Sequence, residues 1–196
     1  IEPKLLEAES TRSHGRSPQD LGAWDMVIQA NSLFWRLTKS EGEAAIETLR
    51  QAIARYPDYA PAHSMLAFML LVSGYVGWSV GEREPLVKQA AALAARAAEL
   101  DDADPWAHFA LGFVAFTRRS TDDALEQFQR ALELNPNFAA AHGYLGLALA
   151  LGGRSDEAIT HSEQAIRMSP HDPQNAIFNV GLAAAHYIAG RYSEAV

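Results

Sequence analysis

The chain has 196 residues, which is enough for one extended domain with a substantial buried core. It carries 16 Lys plus Arg against 24 Asp plus Glu, a formal net charge of -8, and this negative field repels nucleic acid phosphates and anionic lipid head groups. The absence of cysteine excludes disulfides, thiolate nucleophiles and thiolate zinc sites, and it fits a cytoplasmic location without excluding the periplasm.

Residues 1–20 precede the first regular pattern. They start at Ile1 and carry several charges, so they contain no apolar region of the kind found in a signal peptide. We interpret this segment as a linker or helix that follows an upstream domain, in a piece of a longer polypeptide.

Self-similarity at a fixed spacing organises the rest of the chain. Six pairs of identical residues lie at a spacing of 34 between residues 108–136 and 142–170: His108/His142, Leu111/Leu145, Gly112/Gly146, Ala124/Ala158, Ala131/Ala165 and Pro136/Pro170. A period of this length is typical of stacked repeats. Further matches predict five repeats at about 21–59, 60–104, 105–138, 139–172 and 173–196, of which the last is incomplete.

The second repeat contains an insertion at residues 73–85, SGYVGWSVGEREP, which we expect to be a loop that packs Trp78 across a neighbouring repeat. The stretch from Tyr59 to Gly81 has no Asp, Glu, Lys or Arg and superficially resembles a membrane span. It also contains Pro61 and several small or polar residues, and its first half is in register with the other repeats. We therefore favour a doubly buried first helix followed by an inserted turn, and no membrane insertion.

Local chemistry supports helix pairs in every repeat. Small residues predict close helix crossings, namely Ala67, Gly112 and Gly146 in first helices and Ala90, Ala124 and Ala158 in second helices. Ser40 with Glu43 reads as a capping box, and Thr121 and Ser155 as N-caps. Proline cannot donate to the helix ladder, so Pro57, Pro136 and Pro170 should end second helices.

The repeats resemble the tetratricopeptide repeat family. The match is strongest at 105–138, where Leu111-Gly112, Ala124, Phe128 and Pro136 fall in place. It covers about residues 23–196 and implies an all-α fold, an α-solenoid with a right-handed superhelix of about five helix hairpins, as an array over 21–196. Three departures stand out: histidine in place of the opening Trp, Ser162 in place of the aromatic, and Asp102 in place of a Pro.

Candidate chemical sites are few. His63, His108 and His142 recur in successive repeats, but helix axes 8–10 Å apart make convergence on one metal ion awkward. Packing or hydrogen bonding within the stack is the preferred interpretation of these histidines. No motif predicts a catalytic, cofactor-binding or metal site, so we expect no enzyme activity from this chain.

In the family that the repeats resemble, first helices line a concave groove. Transferred to this chain, the groove would be almost wholly apolar, with an aromatic stripe from Phe34, Phe68 and Phe113. The predicted partner-binding residues are Phe34, Phe68, Trp106, Phe109, Phe113, Phe116, Leu147, Leu151 and Tyr187. The Lys, Arg and Asn that family members use to grip a C-terminal carboxylate are missing from these positions.

A second resemblance concerns context. Short phrases such as IEPKLLEAE, LGAWD, DPWAH, NPNFAAAHGYLG and AGRYSEAV are similar to the C-terminal tetratricopeptide region of bacterial class III adenylate/guanylate cyclases and of related winged-helix transcriptional regulators. This implies a regulatory module attached to an upstream output domain. No metal-binding aspartate or nucleotide-binding residue of a cyclase maps onto this chain.

The predicted function is therefore non-catalytic protein–protein interaction within a bacterial signalling protein. Exposed apolar grooves usually mark interaction sites, and the occupant would be a protein or peptide segment with an apolar face. The alternative is a self-association element that dimerises an upstream output domain, with the groove filled by its own chain, for example by residues 1–20 or by the insertion.

Overall fold

The computed structural model describes residues 18–78 and 83–195, with side chains from residue 21 onward. Within these residues the chain forms nine α-helices and no strand. The first five helices are α1 (Pro18–Phe34), α2 (Lys39–Arg55), α3 (Ala60–Tyr75), α4 (Arg83–Leu100) and α5 (Pro105–Thr117). The remaining four are α6 (Thr121–Leu134), α7 (Ala139–Leu151), α8 (Ser155–Met168) and α9 (Asn175–Ile188).

These elements confirm the predicted all-α helical-repeat fold of the solenoid class. The helices occur in consecutive pairs, α1–α2, α3–α4, α5–α6 and α7–α8, followed by α9. The linker or helix predicted for residues 1–20 lies outside the described residues, apart from the backbone of Pro18–Asp20 at the start of α1. None of the helices in the described ranges combines the length and the apolar character that crossing a bilayer requires.

The chain divides into two compact units, Ile1–Ala110 and Leu111–Val196, here called the N-terminal and the C-terminal unit. In the N-terminal unit, α1 packs on α2, α3 packs on α4, and α3 also contacts α1 and α2. In the C-terminal unit, α7 contacts α6, α8 and α9, and α9 packs on both α7 and α8. The first helices α1, α3 and α7 are therefore each covered by helices of their own repeat and of an adjacent one.

A residue in the left-handed backbone conformation follows each first helix, two or three positions after the last helical residue. The φ angle is 57° at Leu37, 74° at Gly77, 63° at Arg119, 79° at Gly153 and 74° at Gly190. In the last four turns the next N–H donates to the carbonyl five residues earlier, as in Trp78 to Ser73 at 3.0 Å, Ser120 to Ala115 at 3.0 Å, and Arg154 to Leu149 and Arg191 to His186 at 2.9 Å. This is the Schellman arrangement, which satisfies carbonyls at the helix end and reverses the chain.

Small residues permit the close helix crossings that the sequence predicted. Ala90, Ala124 and Ala158 are completely buried. A Cβ added to Gly112 would lie 2.6 Å from Cδ1 of Phe128, so the aromatic ring occupies the space that a side chain would need. At Gly146 the same space is taken by Ser162, which explains how the fourth repeat tolerates serine in place of the aromatic residue.

Helix ends are partly as predicted. Helices α2, α6 and α8 end at Arg55, Leu134 and Met168, which confirms that Pro57, Pro136 and Pro170 stop the second helices.

The predicted capping box of Ser40 and Glu43 is wrong. Helix α2 begins two residues earlier than that box requires, and the N-cap Thr38 accepts a hydrogen bond from the backbone N–H of Glu41 at 3.3 Å. Thr38 in turn donates to the Glu41 carboxylate at 3.0 Å. Thr121 and Ser155 are likewise helical residues rather than N-caps. A hydroxyl residue thus caps the helix only where the turn places it one position before the first helical residue.

The loop between α3 and α4 is shorter than the predicted insertion of residues 73–85. Helix α3 continues to Tyr75, because no residue before Gly77 breaks the helix, and α4 already begins at Arg83. Residues 79–82 lie outside the described ranges. Trp78 packs against Gly42 of the preceding repeat and makes an edge contact with Phe34 at 5.5 Å, which confirms its predicted packing across a neighbouring repeat.

We expect Gly153→Ala to destabilise the chain by about 1 kcal/mol, because a Cβ is strained at a left-handed φ. No atom lies within 4 Å of a Cβ at this position, so the cost is that of the backbone alone. The matched control is Gly152→Ala, since Gly152 has a φ of -83° and tolerates a side chain. Equilibrium unfolding in urea measures both free energies, and equal effects of the two substitutions would contradict this interpretation.

Candidate functional site

The recurrent histidines join successive repeats by hydrogen bonds. Nε2 of His63 lies 2.8 Å from the carbonyl oxygen of Pro57, and Nε2 of His142 lies 3.1 Å from that of Pro136. Nε2 of His108 lies 3.0 Å from the carbonyl oxygen of Asp102. A carbonyl only accepts, so each imidazole must donate through Nε2–H. Each histidine thus fixes the start of a first helix to the end of the preceding second helix.

The next junction makes the same bond with a different side chain. Asn175 donates from Nδ2 to the carbonyl oxygen of Pro170 at 2.6 Å. The prediction that the histidines serve packing and hydrogen bonding within the stack is confirmed. Burial lowers the pKa of His63 and His142, against the opposing effect of their carbonyl partners, and therefore favours the neutral ring. In the described part of the chain, no group of three or more His, Asp or Glu side chains is arranged to hold a metal ion.

Two residues of the predicted aromatic stripe, Phe34 and Phe68, lie in the core of the N-terminal unit together with Phe109. Phe34, Phe68 and Phe109 are completely buried. Their rings form a continuous series, with Phe34 and Phe68 centred 6.4 Å apart and Phe68 and Phe109 5.6 Å apart. The three phenylalanines therefore hold α1, α3 and α5 together instead of facing an open groove.

Tryptophan side chains cover this aromatic series. Trp35 and Trp106 are half-buried and lie 6.1 Å and 5.8 Å from the ring of Phe68. Trp78, also half-buried, contacts Phe34 from the α3–α4 turn. In the N-terminal unit the chain thus fills the predicted lining with its own side chains.

The C-terminal unit has an open apolar face, formed by α7 and α9. Neither helix contains Asp, Glu, Lys or Arg. The two helices approach closely, since a Cβ added to Gly181 would lie 3.2 Å from the backbone nitrogen of Leu147. Most of α7 is buried, whereas α9, which also contains Asn175 and Asn179, leaves much of its surface exposed.

We call the exposed part of these helices the α7/α9 face, defined by Leu147, Leu151, Val180 and Tyr187. Leu151 and Tyr187 are each 65% exposed and Val180 is 55% exposed, while Leu147 is half-buried. Tyr192, 63% exposed, packs its ring edge-on against Tyr187 at 5.4 Å. The face is therefore apolar, accessible and extended by one aromatic ring beyond the end of α9.

Charged residues lie near the turns that follow α7 and α9. Arg154 donates two hydrogen bonds to Glu157, at 2.8 and 2.7 Å, and these bonds lower the pKa of the Glu157 carboxyl. Arg191 pairs with Asp156 at 2.7 Å, which ties the turn after α9 to the start of α8. These charges neutralise one another locally, so they add no strong field of either sign.

The nine predicted groove residues thus fall into three groups. Phe34, Phe68, Phe109 and Phe113 are buried; Trp106, Phe116 and Leu147 are half-buried; Leu151 and Tyr187 are exposed. For the first group the expectation of an exposed stripe is wrong, because neighbouring aromatic rings cover them. That any of the nine contacts a partner stays a prediction.

The tryptophan that covers Phe68 and the exposed apolar residues at the end of α9 were not predicted from the sequence. Trp35 was not predicted to cover Phe68, although it directly follows Phe34 in the sequence. Ile188 and Tyr192 were not predicted to be exposed at 47% and 63%. A usable signal was the match of 152-GGRSDEA-158 with 189-AGRYSEA-195, in which Tyr192 stands where the preceding repeat has Ser155.

Comparisons with known proteins agree with this architecture. The tetratricopeptide repeat family matches residues 109–173 and 156–196. The peroxisomal targeting signal receptor of Saccharomyces cerevisiae is 34% identical over 71 residues, which are 36% of this chain and only 12% of that receptor. The chain therefore spans about an eighth of the length of this relative.

Two solved structures share the fold. A thermophilic TPR protein of Thermus thermophilus is 20% identical, with a TM-score of 0.66 over 90% of this chain and 86% of that chain. YrrB, a TPR protein with an unusual peptide-binding site, is also 20% identical, with a TM-score of 0.53 over 100% of this chain and 88% of that chain. At these identities the likeness concerns the fold alone.

We expect Phe68→Asp to reduce helix content and to destabilise the chain by about 3–5 kcal/mol or more, because it removes a fully buried ring and buries a charge. Leu151→Asp should leave helix content unchanged, since Leu151 is 65% exposed. Far-UV circular dichroism with thermal unfolding distinguishes the two variants. A stable, fully helical Phe68→Asp variant would show that Phe68 is a surface residue.

Proposed function

We propose that this chain, which carries tetratricopeptide repeats, is a non-catalytic protein-interaction module that binds its partner on the α7/α9 face. The observation that carries this proposal is the exposure of Leu151, Val180 and Tyr187 on two adjacent helices without a charged residue. Large apolar side chains grouped on one surface mark a binding site more often than they remain open to water.

The chemistry of the face defines the kind of partner. Apolar and aromatic side chains recognise a segment that presents apolar side chains of its own, either as an amphipathic helix or as an extended strand. Neither α7 nor α9 offers Lys or Arg to a C-terminal carboxylate. The proposed partner is therefore an internal segment of a protein, recognised through its side chains. YrrB, which shares this fold, is a TPR protein with an unusual peptide-binding site, so the fold is compatible with a ligand of this class.

The half-buried residues extend this proposed surface. Leu147 lies where α7 and α9 touch, and Phe116 is the half-buried aromatic residue near the end of α5. The buried Phe113, whose ring lies 4.8 Å from that of Tyr144, supports the helices beneath. In this proposal Phe116 and Leu147 contact the partner at the edge of the face, and Phe113 acts only by holding the helices in position.

The context of this module is proposed from sequence phrases. IEPKLLEAE, DPWAH and AGRYSEAV resemble the C-terminal tetratricopeptide region of bacterial class III cyclases. The chain would then be the regulatory and scaffolding part of a signalling protein such as an adenylate cyclase. The coding sequence upstream of the codon for Ile1 tests this context, since a cyclase domain in frame supports it and an unrelated output domain contradicts it.

Self-association is the second candidate function, and two observations favour it. The lining of the N-terminal unit is already filled by Trp78 and its aromatic neighbours, so that part needs no outside ligand. Tyr187 and Tyr192 form an exposed aromatic pair, a residue type that is enriched in the cores of protein interfaces. In this case a second copy of the chain would cover the α7/α9 face and dimerise an upstream domain.

We expect Leu151→Asp and Tyr187→Asp to weaken peptide binding at least about tenfold, because each places a charge in an apolar interface. The ligand is obtained by panning a random peptide phage library on the purified chain. A selected peptide is then labelled with fluorescein, and its binding is followed by fluorescence anisotropy. Leu21→Asp is the matched control, since Leu21 is 50% exposed in α1, outside the proposed face.

Equal binding by all three variants would contradict the proposed location of the site. Failure of the library to yield any peptide with apolar residues would contradict the proposed class of partner. Circular dichroism of each variant separates a binding defect from unfolding.

For the second candidate, we expect the mass measured by light scattering to fall from dimer to monomer as the chain is diluted. Tyr192→Ser should shift this transition to higher protein concentration, because it replaces the exposed ring by the residue found at the equivalent position of the preceding repeat. A chain that stays monomeric at every concentration would rule out self-association.

A further inference from the structure

Two histidines of the C-terminal unit form a direct bond between α7 and α8. Nδ1 of His142 lies 2.8 Å from Nδ1 of His161, and the two rings stack with centroids 5.1 Å apart at 28°. His142 is buried, with 5% of its surface exposed, and His161 is half-buried. This bond is additional to the Nε2 bond by which His142 reaches the carbonyl of Pro136.

The hydrogen bonds fix the proton count of the pair. Nε2 of His142 faces a carbonyl and must carry a proton. Only one proton fits between two nitrogens 2.8 Å apart. In the neutral pair that proton belongs to His161, which donates through Nδ1–H to the unprotonated Nδ1 of His142. If both rings were charged, two N–H groups would point at each other and the bond would be lost.

Few other charges act on the pair. On α8, Glu157 raises the pKa of His161 and Arg154 lowers it, and these two residues are paired with each other. Helix α7 carries no Asp, Glu, Lys or Arg, and the one histidine of α9, His186, lies 3.2 Å from Glu194. From α6 the Pro136 carbonyl reaches His142, and the charged residues of that helix are Asp122, Asp123, Glu126, Arg130 and Glu133.

We propose that His142 and His161 form an acid-sensitive latch, which holds α7 against α8 while the pair is neutral and releases it when both rings are protonated. The α7/α9 face includes Leu147 and Leu151 of α7, so release of the latch would also loosen that face. This last consequence rests on the proposed function. The latch itself rests only on the geometry of the two rings.

The direction of the pH dependence follows from the environment of the rings. Burial lowers the pKa of both His142 and His161, and a charge on His142 further lowers the pKa of His161. The folded chain thus binds fewer protons than the unfolded chain below the ordinary histidine pKa of about 6.5. Stability contributed by the pair is fully present above this pH and is lost as the pH falls below it. His63 contributes in the same direction from the N-terminal unit.

The test combines imidazole NMR with unfolding at two pH values. In long-range ¹H–¹⁵N spectra of the wild-type chain, we expect His142 to carry its proton on Nε2 and not on Nδ1 near neutral pH. The urea midpoint should fall between about pH 7 and about pH 5 in the wild type. In His161→Gln the decrease should be smaller than in the wild type, because the amide can donate to His142 without titrating, while His142 and His63 still contribute.

The matched control is His171→Gln, which removes an exposed histidine from the loop after α8 and should retain the wild-type decrease. A decrease in His161→Gln that equals that of the wild type would overturn the latch. So would a wild-type spectrum with Nδ1 of His142 protonated near neutral pH, and this measurement remains decisive if His161→Gln fails to fold.

Binding of the fluorescein-labelled peptide is measured separately at both pH values. Acid-induced loss of binding in the wild type that is reduced in His161→Gln supports the link between the latch and the α7/α9 face. Equal loss in both proteins overturns that link while leaving the latch intact. If no peptide binds near neutral pH, the proposed function fails, and the unfolding and NMR results still decide whether the latch exists.

Discussion

The structure depends on the close crossing of two helices that are each too thin to bury an apolar face alone. Such a crossing requires a side chain small enough to let the partner helix approach, as Gly112 does opposite Phe128 and Gly146 does opposite Ser162. Left-handed residues at the end of each first helix then return the chain along the same path. Packing and turn geometry together produce a helix pair whose remaining apolar surface must be covered by its neighbours.

This requirement also accounts for the proposed binding surface. Helix α7 and helix α9 are equally free of Asp, Glu, Lys and Arg, yet α7 is buried by helices on several sides and α9 is not. An uncharged first helix is the normal consequence of burial within an array of repeats. On α9, Val180 and Tyr187 are exposed among the described residues, and together with Leu151 of α7 they form the apolar surface on which the proposed function rests.

Polar groups within the array have a second role. The histidines near the start of the first helices donate to carbonyls just after the preceding second helices. Asn175 provides the equivalent bond at the last junction. Buried polar groups need such partners, because an unpaired one costs more than a hydrogen bond contributes. His142 makes a further bond to His161, and for that reason one junction combines a structural bond with a pair of titratable rings.

The amino-acid sequence by itself determined the repeat period, the helix pairs, their proline stops and the all-α fold, because these follow from local spacing and from the small residues at each crossing. Only the tertiary structure decided which apolar residues of the first helices are accessible. Phe68 and Leu151 were both predicted to line the groove, but Trp35 and Trp106 cover Phe68, while Leu151 remains exposed. The same holds for the bond between His142 and His161, which are separated by 19 residues and meet only when α7 and α8 pack together.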